Sequence, residues 1–502
     1  MNKNSKMKFS FFGPAVFLHA CFYALCMYRN SNGVLFPFFV AGSLWFFCFC
    51  LSKLEISLKK GSAFYLIAIG LLAVSGYTTD DSRIVFFNKV GMLLLLLCFL
   101  LKQFYDTREW GFLKYTGSIF YTCTGSLGRL ARPFTDMGKW YREEKGSKGK
   151  LLPVLIGLCA ACPILALVLV LLSDADVVFR KAVEGFFDFI QVGNILGIFF
   201  TILIAFLGVY ALLAYFCDNS RSRGQVPSGE KDKAAEGGSN LAESTKPAEA
   251  GMNPTESVKI KTAKADPAAA ITVTGLLTIV YLFFAGIQIL YLFIGKMQLP
   301  DGYTYAQYAR EGFFQLLAVS MLNFVIVCIG MTCFTKSRIL RGVLTAMTVC
   351  TFVMIASSAV RMLLYIMAYH LTFLRILVLW FLFVLTLLFT GVLLALYRQR
   401  FPLFTYSCVV VTCCYLCLAF AHPDYWIAKV NVQNGDAGDV YLADLCADAA
   451  PVLLSFEPTE EPEENVQRAY RTRLLDKEEH KSLRQKNLSL WIAGKILEKE
   501  GY

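Results

Sequence analysis

Two polar clusters stand at the ends of long apolar segments, and their residue types are the first candidates for chemistry in this chain. A helix through the first cluster would place Tyr308, Glu311 and Gln315 on one face. In the second cluster, Arg361 is followed by tyrosines at four-residue intervals within a later apolar run. Charged groups at such depths need water, a counter-ion or another polar group, so we expect the two clusters to meet. The candidate functional cluster comprises Tyr305, Tyr308, Arg310, Glu311, Gln315, Arg361, Tyr365, Tyr369, His370 and Arg375.

A separate candidate is the Asp174-Ala-Asp176 sequence that follows the apolar segment 151–172. Paired carboxylates can bind Mg²⁺ or Mn²⁺, as a membrane-embedded transferase acting on a sugar nucleotide would require. Ser173 can instead cap a helix whose first turn favours acidic residues through the helix dipole. Apolar residues further along would lay that helix on the bilayer surface. We favour the capped interfacial helix, because Asp-x-Asp sequences are common by chance.

The composition indicates a membrane protein. Hydrophobic residues make up 56% of the chain and charged residues 17%. The apolar residues form blocks of about twenty, the length that crosses a bilayer core of ~30 Å. The formal net charge of +11 gathers in alternate loops, as membrane topology requires, and does not indicate a nucleic-acid partner. The sequence therefore predicts an all-α fold, a polytopic α-helical membrane protein.

The 17 cysteines predict packing rather than chemistry. Most lie within apolar segments, where cysteine serves as a small hydrophobic residue. Their spacing fits neither a disulfide framework nor a zinc site. The run Cys413-Cys414-Tyr-Leu-Cys417 contains a C-x-x-C sequence but has no acidic residue or histidine near it. We therefore predict no cofactor.

The apolar blocks organise the chain into two membrane groups with about eleven transmembrane helices in all. A segment rich in Ser, Gly, Ala, Glu and Lys separates the groups, and such a composition predicts a disordered linker. The predicted units are a four-helix segment at 1–102, a basic cytoplasmic or interfacial loop at 103–150, membrane helices five and six at 151–217, the linker at 218–266, a five-helix membrane domain at 267–421, and a polar helical tail at 422–502.

The distribution of Lys and Arg among the loops predicts the orientation of the chain. Counted with eleven spans, the alternate loops rich in basic residues fall on the side of the N-terminus. The N-terminus is therefore predicted to be cytoplasmic and the tail extracytoplasmic, although the third helix is short enough for the span count to change. The partners expected are the lipid bilayer, anionic lipids at the basic stretch 129–150, and a protein bound by the tail.

The tail has the pattern of a small soluble helical unit. Asp439 is expected to cap a helix that contains Tyr441, Leu442, Leu445 and Ala449. Two apolar stripes follow among alternating Glu and Lys, which indicates helices with solvated outer faces. The first stripe is Val466, Tyr470 and Leu474, and the second is Leu490, Trp491, Ile492 and Ile496.

These patterns resemble a bacterial multi-pass membrane family catalogued only as a domain of unknown function. The resemblance covers roughly residues 150–455 and rests on several runs, with His370 standing where a glycine is expected. It implies a multi-pass protein of the bacterial cytoplasmic membrane and brings no known activity or catalytic residue. The runs are 308–316, the spaced residues from Arg361 to Arg375, Ser173 to Phe179, Trp426 to Asn431, and Asp439 to Leu442.

Three classes of function are open to such a chain. The sequence has no P-loop, nucleophile elbow or paired zinc motif, so an enzyme would depend on a membrane-embedded transferase site at Asp174 and Asp176. A secondary transporter or channel would use Arg361 and Glu311 within the membrane. We favour a non-enzymatic interaction or regulatory protein associated with the envelope, because neither site has the surrounding motif that its chemistry needs.

Overall fold

The structure, a computed structural model, confirms the all-α class. Its described residues form helices and turns and contain no β-strand. The described ranges are 7–107, 110–145, 192–222, 267–290, 313–334, 337–398, 401–482 and 484–499.

The helices fall into three consecutive sets. The first set is α1 (Phe9–Met27), α2 (Leu35–Lys53), α3 (Ser62–Thr78), α4 (Ser82–Phe104), α5 (Phe112–Leu127), α6 (Arg132–Lys145) and α7 (Val192–Ser222). The second set is α8 (Pro267–Gln288), α9 (Phe313–Cys333), α10 (Arg338–Tyr369), α11 (Phe373–Tyr397) and α12 (Leu403–Phe420). The third set, which we call the tail, is α13 (Pro423–Gln433), α14 (Val440–Ala443), a 3₁₀ turn (Ala447–Ala449), α15 (Ala450–Leu453), α16 (Glu461–His480) and α17 (Leu488–Lys499).

Within the described ranges, nine helices are long and apolar enough to cross a membrane, namely α1, α2, α4 and α7 to α12. The third predicted span, α3, is also an apolar helix but has only 17 residues. At a rise of about 1.5 Å per residue it is about 25 Å long, close to the thickness of a bilayer core. The polytopic architecture is therefore confirmed. The predicted span at 151–172 and the interfacial helix after Ser173 lie outside the described residues.

The two membrane groups pack against each other through α12. In the first group, Leu72 and Phe99 belong to a buried core shared by α1 to α4 and α7. Although α12 is the last helix of the second group, its Phe404 stacks on Tyr115 of α5 with ring centroids 4.0 Å apart. The hydroxyl of Tyr415, also on α12, donates to the backbone carbonyl of Ile84 at 3.1 Å. One helix of the second group therefore completes the core of the first.

The tail lies at one end of this bundle. Arg484 donates to the carbonyl oxygen of Tyr28, just after α1, at 3.2 Å, and Ser489 donates to that of Thr78, at the end of α3, at 2.7 Å. The first residue of α1, Phe9, packs instead on Trp140 of α6, with ring centroids 5.9 Å apart. The two ends of α1 therefore face different neighbours, and the tail is packed at the end away from Phe9.

At the end away from the tail, the predicted basic loop contains α5 and α6. Arg129 forms an ion pair with Asp218 near the end of α7, with Nε and Oδ2 3.4 Å apart, and Arg132 also reaches this carboxylate at 3.7 Å. Helix α7 continues as far as Ser222, past the predicted start of the linker at 218. The remainder of the linker lies outside the described residues.

The first apolar stripe of the tail is confirmed, since Val466, Tyr470 and Leu474 are all buried in α16. The second stripe was partly wrong, because Trp491 and Ile492 are exposed. The buried face of α17 runs instead through residues spaced three, four and seven apart, which is the geometry of one helix face. These residues are Leu490, Ala493, Gly494 and Leu497.

Asp439 caps a helix as predicted, because its carboxylate accepts a hydrogen bond from the backbone N–H of Tyr441 at 3.0 Å. That helix, α14, ends at Ala443, so the predicted helical face does not extend to Leu445 and Ala449. Both of these residues are nevertheless buried, in the turns that follow.

We predict that single cysteines at Lys60 and Val440 react with an impermeant maleimide from opposite sides of the membrane. Both residues are exposed, Lys60 in the α2–α3 loop and Val440 in the tail, and these positions are separated by the length of a spanning helix. The measurement is labelling in right-side-out and inverted vesicles, in a protein whose native cysteines have been replaced. Labelling of both positions from the same side would contradict the arrangement.

Candidate functional site

The turn between α3 and α4 is built to hold polar groups. Asp81 caps α4, because its Oδ1 accepts a hydrogen bond from the backbone N–H of Arg83 at 2.8 Å. The hydroxyl oxygen of Thr79 accepts from the backbone N–H of Asp81 at 3.0 Å. This local structure leaves the Thr79 hydroxyl proton and the Asp80 side chain directed at the tail.

Asp448, in the 3₁₀ turn of the tail, is the most fully bonded of the buried carboxylates. Its Oδ2 accepts from the hydroxyl of Thr79 at 2.5 Å and lies 2.9 Å from Nδ1 of His422. Its Oδ1 accepts from the backbone N–H of Asp80 at 3.2 Å and from the hydroxyl of Ser489. Both oxygens therefore have two partners, which is what a buried carboxylate needs.

Asp80 makes the complementary contact, since it lies in the bundle and its partners lie in the tail. Lys477, in the last turn of α16, and Lys481, just after this helix, place their ammonium nitrogens 2.7 and 3.0 Å from its two carboxylate oxygens. The side-chain amide of Asn487 donates to Oδ1 at 3.1 Å. Asp80 of the bundle therefore binds groups of the tail, and Asp448 of the tail binds groups of the bundle.

A third contact joins Arg83 to two buried carboxylates. Its Nη2 lies 2.8 Å from Oδ2 of Asp81 and 2.7 Å from Oδ1 of Asp424, in the first turn of α13. The second oxygen of Asp424 accepts from the backbone N–H of Cys446 at 3.0 Å. The guanidinium also lies over the ring of Phe373, 3.8 Å from its centroid. We call Asp80, Asp81, Asp424 and Asp448 the carboxylate network.

Part of this network also resembles a metal site. The potential ligand atoms of Asp81, Asp424 and Cys446, all buried, lie within 4.8 Å of one another. However, the Arg83 guanidinium already bonds both carboxylates and supplies the positive charge that a cation would bring. Burial, together with the negative charge of Asp448, raises the pKa of the Cys446 thiol well above its usual value, so in this arrangement the thiol is protonated. The geometry favours an ion pair over a metal centre.

The pKa values of the network follow from burial and hydrogen bonding. The hydrogen bond to Asp448 raises the pKa of His422, although burial opposes it. Burial by itself would raise the pKa of Asp448, but hydrogen bonds from His422, Ser489 and Thr79 outweigh it and lower the pKa. For Asp424, burial and the nearby charge of Asp81 raise the pKa despite the opposing effect of Arg83.

Most of the first predicted cluster lies outside the described residues, as do Asp174 and Asp176. Of that cluster, the structure describes Gln315, which is exposed on α9. The predicted meeting of the two clusters therefore stays a prediction. The residues outside the described ranges are Tyr305, Tyr308, Arg310 and Glu311.

The second predicted cluster is brought together at the end of α10. The Arg375 guanidinium lies 4.2 Å from the ring centroid of Tyr365, and this ring is 5.2 Å from that of Tyr369. Arg375 also donates to the backbone carbonyls of Tyr369 and His370. Deeper in α10, Arg361 lies with Nη2 3.5 Å from Oε1 of Gln288 on α8.

The α10–α11 turn also contacts the tail. His370 has φ 65°, in the region that favours glycine, which agrees with the glycine expected there. Its Nδ1 contacts the carboxylate of Asp436. Asn431 of α13 bonds both backbone groups of Leu371, accepting from the N–H at 3.0 Å and donating to the C=O at 2.9 Å. The second cluster therefore lies at the same end of the bundle as the carboxylate network.

Sequence reasoning missed the carboxylate network itself. Its members are acidic residues in short loops, a position that ordinarily indicates solvent exposure. One signal was present, because the predicted topology places the Asp80-Asp81 turn on the same side of the membrane as the tail. That signal places the turn and the tail at the same membrane surface, but it does not indicate which of their residues contact each other.

The fold and these contacts define a polytopic all-α membrane protein whose C-terminal tail is packed onto one end of its helical bundle. Residues 66–456 match the family model described as Domain of unknown function (DUF4153), and the chain belongs to this family. The match begins in α3, well before the start near residue 150 that the resemblance gave. It includes the whole carboxylate network and ends before α16 and α17. No curated protein and no solved structure matches the chain.

We predict that Arg83→Gln lowers the free energy of unfolding by about 3 kcal/mol, because it leaves the Asp81 and Asp424 carboxylates buried without their cation. This value is the lower end of the range for a broken buried pair, since the Arg83 side chain is 38% exposed. The measurement is thermal or denaturant unfolding of the purified full chain in detergent micelles. The matched control is Arg468→Gln, whose partner Glu464 lies 2.6 Å away on the surface of α16 and whose loss should cost less than about 0.5 kcal/mol. Equal effects of the two substitutions would contradict the assignment.

We predict that the stability contributed by His422 falls as the pH rises. A histidine whose pKa is raised above the usual 6.5 in the folded state stabilises fully below 6.5 and loses that contribution as the pH passes its folded value. Asp448, with its pKa lowered from 3.8, contributes above 3.8 and loses its contribution only as the pH falls through the lowered value. The difference in stability between wild type and His422→Gln should therefore be larger at about pH 6 than at about pH 9. A difference that does not change between these pH values would show that His422 acts without its charge.

Proposed function

We propose that the protein is a non-enzymatic component of the bacterial cytoplasmic membrane whose tail binds a protein partner in the cell envelope. The observation that supports this most directly is the attachment of the tail, which is bonded to the α1–α2, α3–α4 and α10–α11 turns. A tail fixed at three places has its orientation set by the membrane bundle. Such an attachment suits a surface that must be presented at a fixed height and angle above the bilayer.

The chemistry of the buried acids agrees with this proposal. Asp448 and Asp424 are bonded through both oxygens to groups of the protein, and Asp81 is bonded through both of its oxygens to Arg83. A general acid or base must instead reach a substrate. In the part of the chain that the structure describes, these carboxylates hold segments together.

The outer surface of the tail carries apolar side chains suited to a protein partner. Val440 is 75% exposed and Trp491 is 50% exposed, and Ile492 beside it is also exposed. The ammonium of Lys495 lies 3.7 Å from the Trp491 ring centroid, which orders the indole at the surface. Tryptophan is enriched among the residues that contribute most to binding at protein interfaces.

The orientation that we propose places the N-terminus in the cytoplasm and the tail outside it. The distribution of basic loops supports this choice. On the cytoplasmic side, the basic stretch 129–150 includes α6, whose cations would face the anionic headgroups of the inner leaflet. The tail would then meet its partner in the extracytoplasmic space.

A transporter or channel is the second candidate, because a polar group of side chains lies within apolar helices. The hydroxyl of Ser357 donates to Oε1 of Gln288 at 2.6 Å, and Arg361 approaches the same oxygen from the next turn of α10. Intramembrane polar residues of this kind occur along ion pathways and also at helix contacts. For the transferase alternative, Asp174 and Asp176 lie outside the described residues, so nothing in the described part favours it.

We predict that a photo-crosslinking amino acid placed at Val440 or Trp491 captures one and the same envelope protein in cells. Replacing Asp448 by Asn should reduce the capture several-fold at unchanged abundance, because the tail is then held by fewer bonds. Lys60, at the other end of the bundle, is the control position. No capture above the Lys60 background, combined with loss of solute flux in Arg361→Gln at normal abundance, would favour the transporter.

A further inference from the structure

The described helices of the first group enclose a cavity of about 740 Å³. It runs between α1, α2, α4, α5 and α7, and its lining is almost entirely apolar. This volume lies within the roughly 300–1,000 Å³ of sites that hold small molecules. One side is open, because Leu127 and Ile204 line the cavity and are 65% and 70% exposed on the outside of the bundle. A long apolar chain could therefore enter from the bilayer.

The tail end of the cavity carries a cation. Lys89 lines the cavity and lies seven residues beyond Ser82, or about 10 Å along α4 from the α3–α4 turn. Its ammonium donates to the hydroxyl of Ser31, in the α1–α2 turn, at 3.0 Å. Among the described residues no carboxylate lies within ion-pair distance of it. A lysine within a membrane helix is costly without a counter-ion, so binding of an anion beside Lys89 would be favourable.

Two arginines add positive charge at the same end. Arg29 is exposed and lies two residues after Met27, which lines the cavity. Gln485 of the tail donates to the Arg29 carbonyl at 2.6 Å, and the neighbouring Arg484 donates to that of Tyr28. The Nε of Arg484 is buried and has no hydrogen-bond partner among the described residues. The tail end of the cavity is therefore cationic while its interior is apolar.

We propose that this cavity binds one anionic phospholipid from the bilayer. Its phosphate would lie at Lys89 and Ser31, near Arg29, and an acyl chain would run past Ile204 between α2, α4 and α7. Guanidinium and ammonium groups form charge-assisted hydrogen bonds with phosphate oxygens, and the apolar walls suit the chain. The cations at one end of the cavity favour a lipid with a net negative charge over a zwitterionic lipid, and the apolar walls favour its hydrocarbon chain. This binding is independent of any partner of the tail.

Gly208 offers a way to test the interior without disturbing the fold. It lines the cavity, and a Cβ atom built on it would meet no other atom within 4 Å. Gly208→Leu should therefore fill the space while leaving the backbone unchanged. The matched control is Gly342→Leu on α10, where a Cβ atom also meets nothing within 4 Å but which does not line the cavity.

The experiment is native mass spectrometry of the purified full chain titrated with phosphatidylglycerol or phosphatidylethanolamine. Wild type and Gly342→Leu should bind one phosphatidylglycerol more tightly than phosphatidylethanolamine. Lys89→Gln should weaken phosphatidylglycerol binding about tenfold through loss of a charge-assisted bond. Lys89→Arg should bind phosphatidylglycerol as the wild type does, and Gly208→Leu should not bind it.

The unfolding temperature of each variant shows whether a loss of lipid binding results from a loss of folding. If Gly208→Leu melts with the wild type and still binds lipid in the same amount, the cavity is not the site and the proposal is wrong. Equal binding of the two lipids, or a variable number of lipids that Lys89→Gln leaves unchanged, would also overturn it, because a general lipid shell gives that pattern.

Discussion

The arrangement of this protein depends on one buried carboxylate. Asp448 receives two hydrogen bonds from the α3–α4 turn and one from α17, and it pairs with His422 between α12 and α13. Thr79 and Asp448 are separated by 369 positions in the chain, yet the bond between them is 2.5 Å long. Desolvating a carboxylate is expensive, so the charge is stable there only while all of these segments are in place. The requirement fixes the tail in one position.

The contacts around Asp448 specify a geometry more than they add to stability. A typical hydrogen bond contributes about 1 kcal/mol to folding, whereas a buried polar group left without its partner costs about 1–3 kcal/mol. A tail shifted by one helical turn would leave Asp448, Asp80 and Asp424 without the partners that they have here. The apolar core of the tail, around Tyr470 and Leu490, supplies compactness. The carboxylate network fixes the position of the tail relative to the bundle.

The sequence predicted the spans and the tail helices well, because these depend on local averages of hydrophobicity and on residue periodicity. The burial of Val466, Tyr470 and Leu474 follows from their four-residue spacing alone. The second stripe was partly wrong because Trp491 and Ile492 follow Leu490 by one and two residues, and each step along a helix turns the side chain by about 100°. Their hydrophobicity was visible in the sequence, but the face that they occupy was not.

The carboxylate network could not be predicted in the same way. Asp80, Asp424 and Asp448 lie far apart in the chain, and nothing local distinguishes them from solvated loop residues. Their burial results from tertiary packing, which brings α16 and α17 over the α3–α4 turn. His370 is a local case, because the resemblance expects a glycine at this position and the residue adopts a positive φ that glycine favours. Long-range pairings such as those of the carboxylate network have no comparable local signal in a single sequence.

Helix α4 shows how polar residues are accommodated in a membrane segment of this bundle. Its first eight residues include Arg83, Asn88 and Lys89, and each of these faces a different neighbour. Arg83 bonds Asp424 of the tail, and Asn88 accepts from the Tyr415 hydroxyl of α12 at 2.9 Å. Lys89 bonds the α1–α2 turn and faces the apolar cavity. Since these contacts share one rigid helix, the attachment of the tail also fixes the depth at which the lysine is presented to the cavity.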